Sequence, residues 1–374
     1  MAATRRSFDE HMMRIALQMA RRGLGSTAPN PAVGAVIADE ATGEVIARGW
    51  TQPGGRPHAE KEALRRSAGR ERGRTMYITL EPCAHTGRHP TCADAMQAAG
   101  LKRVVCAIPD PNPVVSGRGF AQLRAAGMDV DVGLLAEEAR WTTLGHINRI
   151  TAHRPFVQLK MALDSVGAVA AGDGAPVWVT GRDARAYAHL LRAETDGIIV
   201  GSGTVFADDP ELNCRLPGMA SRSPDRIVLD THLRTPPSAK VYRQEHNGPR
   251  VWVAAAVGTF TRVPVRHGQG GALVLGVDGA DGGGLDLKGL LETLADKGLT
   301  RLMIEGGPTI WQAFLAAGVV DEACVVYGTG TAQGDTITVI AGDPDQFFAS
   351  FGLFPITQRW LGDDRLHIYR HRSP

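Results

Sequence analysis

The sequence predicts an α/β protein built as two domains. Three observations carry that expectation. Apolar runs of strand length alternate with helix-period segments, the pattern of a mostly parallel sheet covered by helices. The chain has 374 residues, more than a single compact core normally spans. The stretch Arg149 to Pro155 lacks periodicity and ends in Arg-Pro, which divides the chain into 1–150 and 151–374.

The elements of the first half follow from local signals. Ser7 and Glu10 read as a capping box opening the first helix. Met12, Ile15, Ala16, Met19 and Ala20 form its apolar stripe, and Gly23 is expected to close it in the left-handed conformation. Val33–Ala38 and Val45–Trp50 read as a hairpin. A helix is expected over 58–66, a strand over 76–80, and a turn-rich stretch carrying Pro82, Gly87 and Pro90. A helix over 91–99, a strand over 104–108, a helix over 117–126, a strand over 130–132 and a helix over 137–148 complete the unit.

The second half restarts the alternation. Strands are expected over 156–161, 197–201, 226–229, 251–255, 273–275, 302–304 and 323–327. Helices are expected over 182–192, 287–297 and 308–317, and the glycine-rich stretch 268–284 reads as an exposed loop. No internal repeat relates the halves.

Composition narrows the function classes. With 43% hydrophobic and 21% charged residues, wholesale disorder is excluded. Forty-one Lys and Arg against 39 Asp and Glu leave a formal charge of +2. That balance gives neither the basic stripe of a duplex-binding protein nor an acidic tail. No run of eighteen apolar residues is present, which argues against a membrane span. No apolar segment follows Arg5 and Arg6, which argues against a secretory signal. Five cysteines suit reduced thiols of a cytosol, or metal ligands, better than a disulfide framework.

The strongest chemical signal is His58-Ala59-Glu60, then Pro82-Cys83, then Cys92. One imidazole and two thiolates suit Zn²⁺ and leave a tetrahedral site with one open position. Zinc in such a site can lower the pKa of its water to about 7. Glu60 stands where a carboxylate can take the water proton and pass it to a leaving amine. The H-x-E…P-C…C order is the signature of zinc-dependent base deaminases. Eight residues separate Cys83 from Cys92. The chain must therefore turn at Gly87 and Pro90 and re-enter a helix with Cys92 near its N-terminus, which favours thiolate. A closed structural zinc site with His85 or His89 as fourth ligand is the alternative, and it leaves Glu60 without a task.

The second half has no G-x-G-x-x-G and no Walker A loop. It carries Ile304-Glu305-Gly306-Gly307-Pro308-Thr309 at a strand-to-helix junction, where backbone amides can approach a phosphate. Gly-Gly-Pro is also an ordinary turn with Pro near the first helical position.

Asn30-Pro31-Ala32-Val33-Gly34, Pro57-His58-Ala59-Glu60 and Glu81 through Arg88 together resemble the deaminase half of the bifunctional riboflavin-biosynthesis deaminase-reductase family. Gly201 through Leu212 and Glu305-Gly306-Gly307-Pro308-Thr309 resemble its reductase half. The resemblance implies a cytidine-deaminase-like α/β/α domain followed by a dihydrofolate-reductase-like α/β domain. It implies hydrolytic deamination of 2,5-diamino-6-(5-phosphoribosylamino)pyrimidin-4-one, then NADPH-dependent reduction of the ribosyl to a ribityl group.

By motif, Zn²⁺ would sit on His58, Cys83 and Cys92, with Glu60 as proton shuttle. Asn30 would hold the pyrimidine or ribose, and Arg88 with His85 would meet the substrate phosphate. NADPH would lie near Leu163, Trp178, Thr204, Asp208 and Thr231, and along Gly307, Pro308, Thr309, Ile310, Trp311, Gln312 and Ala313. Arg192, Leu212, Arg215 and Glu305 would meet the ribose-phosphate. Hydride transfer to C1′ of the open-chain imine needs a proton donor, and Asp208 is the candidate acid. Asp208-Asp209-Pro210 also reads as a plain turn.

Two departures from the family stand out. Gly49-Trp50-Thr51 lacks the His that many members carry two residues after that Gly, and Asp164-Ser165-Val166-Gly167 replaces Ser-Leu-Asp-Gly. A cytoplasmic homo-oligomer acting on a small molecule, not on nucleic acid or membrane, is the implied setting. The rival readings are a tRNA or nucleoside zinc deaminase with an unrelated C-terminal domain, and a zinc-stabilised nucleotide-binding module.

Overall fold

A computed structural model describes the chain except residues 1, 85–89, 171–178, 245–247, 260–265, 268–270, 281–282, 333–334 and 373–374. It divides into two compact units, Met1–His153 and Arg154–Pro374.

The first unit runs α1 (Ala2–Arg21), β1 (Gly34–Ala38), β2 (Val45–Trp50), α2 (Ala59–Ser67), β3 (Thr75–Ile78), α3 (Cys92–Ala98), β4 (Arg103–Cys106), α4 (Arg118–Ala125), β5 (Asp129–Val132) and α5 (Ala136–Thr151). Its sheet has the order β2-β1-β3-β4-β5. β1 is antiparallel to both neighbours, whereas β3, β4 and β5 are parallel. Every residue of β1, β3 and β4 is buried, as strands covered on both faces must be. Two glycines set how closely helices lie on the sheet. A Cβ on Gly34 would fall 1.9 Å from Ala16 O of α1, and one on Gly49 would fall 2.3 Å from Ala59 O at the start of α2. Gly49 thereby lets α2 begin directly over β2, which fixes where His58 stands.

The first helix differs from the expectation at both ends. It begins at Ala2, so Ser7 and Glu10 are not a capping box. Glu10 instead accepts from Arg6 at 3.3 Å and Arg14 at 3.2 Å, a ladder of i,i+4 pairs that carries the helix past Ser7. Gly23 does not take the left-handed conformation; Gly25, two residues on, does (φ 69°).

The second unit runs β6 (Phe156–Leu163), β7 (Ala168–Ala170), α6 (Arg182–Ala193), β8 (Gly197–Gly201), α7 (Ser202–Asp208), β9 (Asp225–Leu229), β10 (Val251–Ala256), β11 (Arg266–His267), β12 (Ala272–Val277), α8 (Leu287–Asp296), β13 (Arg301–Ile304), α9 (Pro308–Ala316), β14 (Glu322–Tyr327), β15 (Thr336–Thr338), α10 (Pro344–Ala349), β16 (Leu353–Leu361) and β17 (Asp364–His371). Ten strands form one sheet in the order β11-β12-β10-β9-β8-β13-β6-β14-β17-β16, and β7 pairs with β15 apart from it. The seven strands from β12 to β14 are mutually parallel; β11, β17 and β16 are antiparallel additions. Alternate residues of β6 and β8 feed two apolar cores, with Leu159, Met161 and Ile199 on one face and Ile198 and Val200 on the other. Ligand-binding loops of such sheets gather where the parallel strands end.

Candidate metal centre and reductase site

The metal candidates come together at the carboxyl end of the first sheet. His58 is the residue before α2, extended at φ −67° and ψ 160°, and Glu60 lies in that helix's first turn. Cys92 is the first residue of α3, as its spacing predicts. Thr91 caps that helix by accepting from Asp94 N at 3.0 Å, and Asp94 returns a bond to Thr91 N at 2.9 Å. Cys83 follows β3 and accepts from Cys92 N at 3.3 Å.

His58 Nδ1 lies 3.3 Å from Cys92 Sγ and 3.6 Å from Cys83 Sγ. All three ligand atoms lie within 4.8 Å of one another. Tetrahedral zinc with ordinary Zn–N and Zn–S bonds demands an N···S edge of about 3.5 Å. The donor set and its spacing therefore fit zinc. Among the described residues no other group of His, Cys, Asp and Glu side chains is so arranged.

The three groups perturb one another, and Cys92, expected as a thiolate at its helix N-terminus, is instead the thiol that donates to Cys83. Donation from the Cys92 thiol, opposed by burial and helped by His58, pulls Cys83 down to about 4. Cys92, as donor to Cys83 and buried beside Glu60, is pushed up. His58 is raised, first by its bond with Cys83. Burial raises Glu60, which is 3% exposed and faces His58 and the Cys92 thiol. A raised carboxyl beside the ligand set is placed to take and return a proton.

Asn30 is partly buried and donates to Gly55 O at 3.4 Å. A Cβ on Gly55 would fall 2.0 Å from Asn30 Nδ2, so the loop before β1 is pressed against the segment leading into His58. His85, Arg88 and His89 lie outside the described residues, so the proposed phosphate contacts, and the fourth-ligand alternative, stand on sequence.

One residue of this site was missed from sequence. Glu81 is 4% exposed and accepts three backbone N–H groups, from Asp110 at 3.1 Å, Gly117 at 3.0 Å and Gly119 at 3.0 Å. It binds the loop after β4 to the loop that carries Cys83. Its place beside Pro82-Cys83 was the available signal.

In the second unit the named residues lie at the carboxyl ends of adjacent parallel strands. Leu163 ends β6, Thr204 and Asp208 lie on α7 after β8, Thr231 follows β9, and Glu305 and Gly307 follow β13. Gly307 and Gly201 precede α9 and α7 and give them no side-chain cap, and a Cβ at Gly307 or Gly203 would meet nothing within 4 Å. Helix N-termini without a side-chain cap, beside glycines with room around them, fit the phosphates of a dinucleotide. Ile310 packs on Gly201, within 2.8 Å of where a Cβ there would be, which ties α9 to α7. Thr309, Gln312 and Ala313 are exposed and Pro308 partly so, whereas Trp311 is core. Leu163 and Leu212 are also buried in core, which leaves only their backbone to meet a ligand. Trp178 lies outside the described residues.

Arg192 donates Nε to Glu305 Oε2 at 2.9 Å and Nη2 to Oε1 at 3.0 Å. Its Nη1 donates to Asn213 O at 2.9 Å. Lys160 Nζ stands 3.5 Å from the same carboxylate. Against the effect of burial, Arg192 and Lys160 hold Glu305 down at about 2. Lys160 was also missed, although a lysine inside the apolar run of β6 was the clue. Asp208 is exposed at the end of α7, has no side-chain partner among the described residues, and is raised by the protein mass around it. Asp209 takes the left-handed cap (φ 39°), and its carboxylate accepts from Lys240 N at 2.7 Å. The altered loop 164–167 is a tight turn, with Asp164 accepting from Val166 N at 3.0 Å and Ala168 N at 2.9 Å.

Comparison with known proteins covers both units. Residues 6–108 match the cytidine and deoxycytidylate deaminase zinc-binding region, and residues 155–338 match the RibD C-terminal domain. The riboflavin biosynthesis protein RibD of Aquifex aeolicus is 38% identical over 335 residues, 88% of this chain and 91% of that protein. The RibD of Escherichia coli is 38% identical over 328 residues, 85% of this chain and 86% of that one. The solved structure of Acinetobacter baumannii RibD superposes with a TM-score of 0.82 at 32% identity, covering 98% of this chain and 100% of that chain. The deaminase rival with an unrelated C-terminal domain is thereby overturned, since the second half matches the reductase domain. The bare binding module falls with it. The units are the expected cytidine-deaminase-like domain and dihydrofolate-reductase-like RibD reductase domain, which bring zinc and NADPH chemistry to a small-molecule substrate. Among the described residues no helix is long and apolar enough to cross a membrane. The chain belongs to the RibD family of bifunctional deaminase-reductases of riboflavin biosynthesis.

Proposed function

We propose that residues 1–150 deaminate 2,5-diamino-6-(5-phosphoribosylamino)pyrimidin-4-one and that residues 151–374 reduce the resulting ribosylamino compound to its ribityl form. The observation that carries the first step is the convergence of His58, Cys83 and Cys92 within 4.8 Å, with the buried Glu60 beside them. Zinc held by those three ligands supplies the Lewis acidity for hydrolysis. Glu60 takes a proton from water and delivers it to the departing amine, so that water oxygen replaces nitrogen on the ring and ammonia leaves. Asn30 orients the pyrimidine or ribose, and Arg88 with His85 engages the phosphate.

In the second step bound NADPH would supply the reducing equivalent for C1′ of the open-chain sugar. Asp208 delivers the accompanying proton. Arg192, Leu212, Arg215 and Glu305 frame the ribose-phosphate, and the segment from Gly307 to Ala313, with Leu163, Trp178, Thr204 and Thr231, frames the cofactor. The same reading gives a cytoplasmic homo-oligomer that handles neither nucleic acid nor membranes.

Glu60→Gln tests the assignment. The variant should bind zinc as the parent does, lose deamination, and still reduce preformed deaminated product with NADPH. Continued deamination at the parent rate would overturn the proton-shuttle role.

A further inference from the structure

α6 grips three consecutive residues of the segment that follows α7. Arg192 Nη1 donates to Asn213 O at 2.9 Å, Cys214 Sγ donates to His189 O at 3.4 Å, and Arg215 N donates to His189 Nδ1 at 3.3 Å. His189 and Arg192 are one turn apart and share a face. The gripped segment starts at Leu212, a buried non-glycine residue in the left-handed region at φ 56°. That conformation is unfavourable by itself and persists only where neighbours impose it.

The two arginines differ in what they can offer a ligand. Arg192 is engaged by Glu305 and Asn213 and its side chain is 12% exposed. Arg215 is 52% exposed, with Nη1 alone engaged, by Asn213 Oδ1 at 2.9 Å and Glu211 at 3.8 Å. An incoming phosphomonoester therefore finds its cation in Arg215, and the aim of that side chain depends on its backbone.

We propose that His189 is a positioning residue for the anionic end of the reductase substrate, acting through the Arg215 N–H that its Nδ1 accepts. The inference rests on the reading of this cleft as a ribose-phosphate site. The bond needs a neutral imidazole protonated on Nε2, because a doubly protonated ring has no acceptor. Burial, then Arg192 and Arg215, lower the pKa of His189, and Glu305 and a bond with the Asn213 backbone offset them only in part. That shift favours the neutral ring, and the 3.3 Å contact from Arg215 N selects the tautomer that accepts at Nδ1.

The test is reduction by the full zinc-loaded chain, with the phosphorylated ribosylaminouracil and with its dephosphorylated counterpart as substrates. His189→Ala should raise KM for the phosphorylated substrate about tenfold, the effect of one lost bond near a charged group. Its kcat, its KM for NADPH and its KM for the dephosphorylated substrate should stay within about twofold, because the lost contact serves only the phosphate. His189→Asn, whose Oδ1 can accept the same N–H, should recover most of the loss. Adding His189→Ala to Arg215→Ala should cost nothing more, since both act through one contact. Equal losses for both substrates, no loss, additive losses in the double variant, or no recovery with Asn would each overturn the proposal. A parent protein that does not reduce either substrate would instead refute the underlying reading of the cleft.

Discussion

Arg192 holds Glu305 through two parallel bonds of 2.9 Å and 3.0 Å, with both side chains more than four-fifths buried. Bidentate pairing of this kind fixes direction as well as distance. Glu305 is the residue that connects β13 to the Gly306-Gly307 turn, so the pair sets the position of the segment entering α9. Arg192→Met should destabilise the reductase unit by about 2 kcal/mol, the cost of losing charge-assisted bonds to a carboxylate that Lys160 still faces. Chemical unfolding measures it. The sign with pH is fixed by Glu305, whose carboxyl is lowered from 4.5 to about 2. Its stabilisation is full above the unfolded value and is lost as pH falls through the folded one. The difference between parent and variant should therefore be flat from about pH 6 to 8 and shrink below about pH 4.

Glu81 makes a second prediction. Its carboxylate is the acceptor for three backbone N–H groups that otherwise lie without one in the loop 110–119. A Cβ on Gly119 would fall 2.3 Å from Pro82 O, so loop and metal segment are in direct contact. Glu81→Ala should cost about 3 kcal/mol, since each unsatisfied buried group costs about 1–3. Zinc affinity should fall by about tenfold or more, as it does when groups that orient metal ligands are removed. Thermal unfolding and metal titration of the variant read the two effects separately. Unchanged zinc affinity would show that the loop is independent of the metal site.

Glu81 and Lys160 mark where the sequence stops being legible. The metal ligands were legible because zinc chemistry restricts them to a few residue types at ordered positions. The alternation of β and α was legible for the same reason in packing, since buried parallel strands must be apolar. Glu81 and Lys160 were not, because a buried charge is identified by partners distant in the chain, such as Gly119 or Glu305. The strand β16 was missed because it is almost wholly exposed from Pro355 to Trp360 and shows no buried face, and β17 because its buried positions, Asp364, Leu366 and Tyr369, do not alternate as an apolar face. The start of α1 was misplaced because Ser7 and Glu10 have the right spacing for a cap, while Arg6 and Arg14 compete for the same glutamate.

Removal of the metal gives a third prediction. Stripping zinc with a chelator, or replacing Cys92 by Ser, should reduce deamination by at least about 100-fold, more than loss of an outer-shell partner does. Reduction of preformed product should remain. Zinc readdition should restore the chelated parent but not the Cys92→Ser variant at equal metal concentration. A fully chelated protein that still deaminates would remove the metal from the reaction.

Asp208 separates a catalytic acid from a cofactor contact. Desolvation raises its carboxyl, and its side chain is exposed with no side-chain partner among the described residues, so it is free to meet a substrate. A group with a raised pKa is protonated below that value and ineffective as an acid above it. The reductase kcat should therefore fall as pH rises through the pKa of Asp208. Asp208→Asn should lower kcat by about 100-fold, the lower range for loss of a general acid, and abolish that limb of the profile. KM for NADPH should change little. If instead KM for NADPH rises while kcat and its pH dependence persist, Asp208 binds the cofactor and another group supplies the proton.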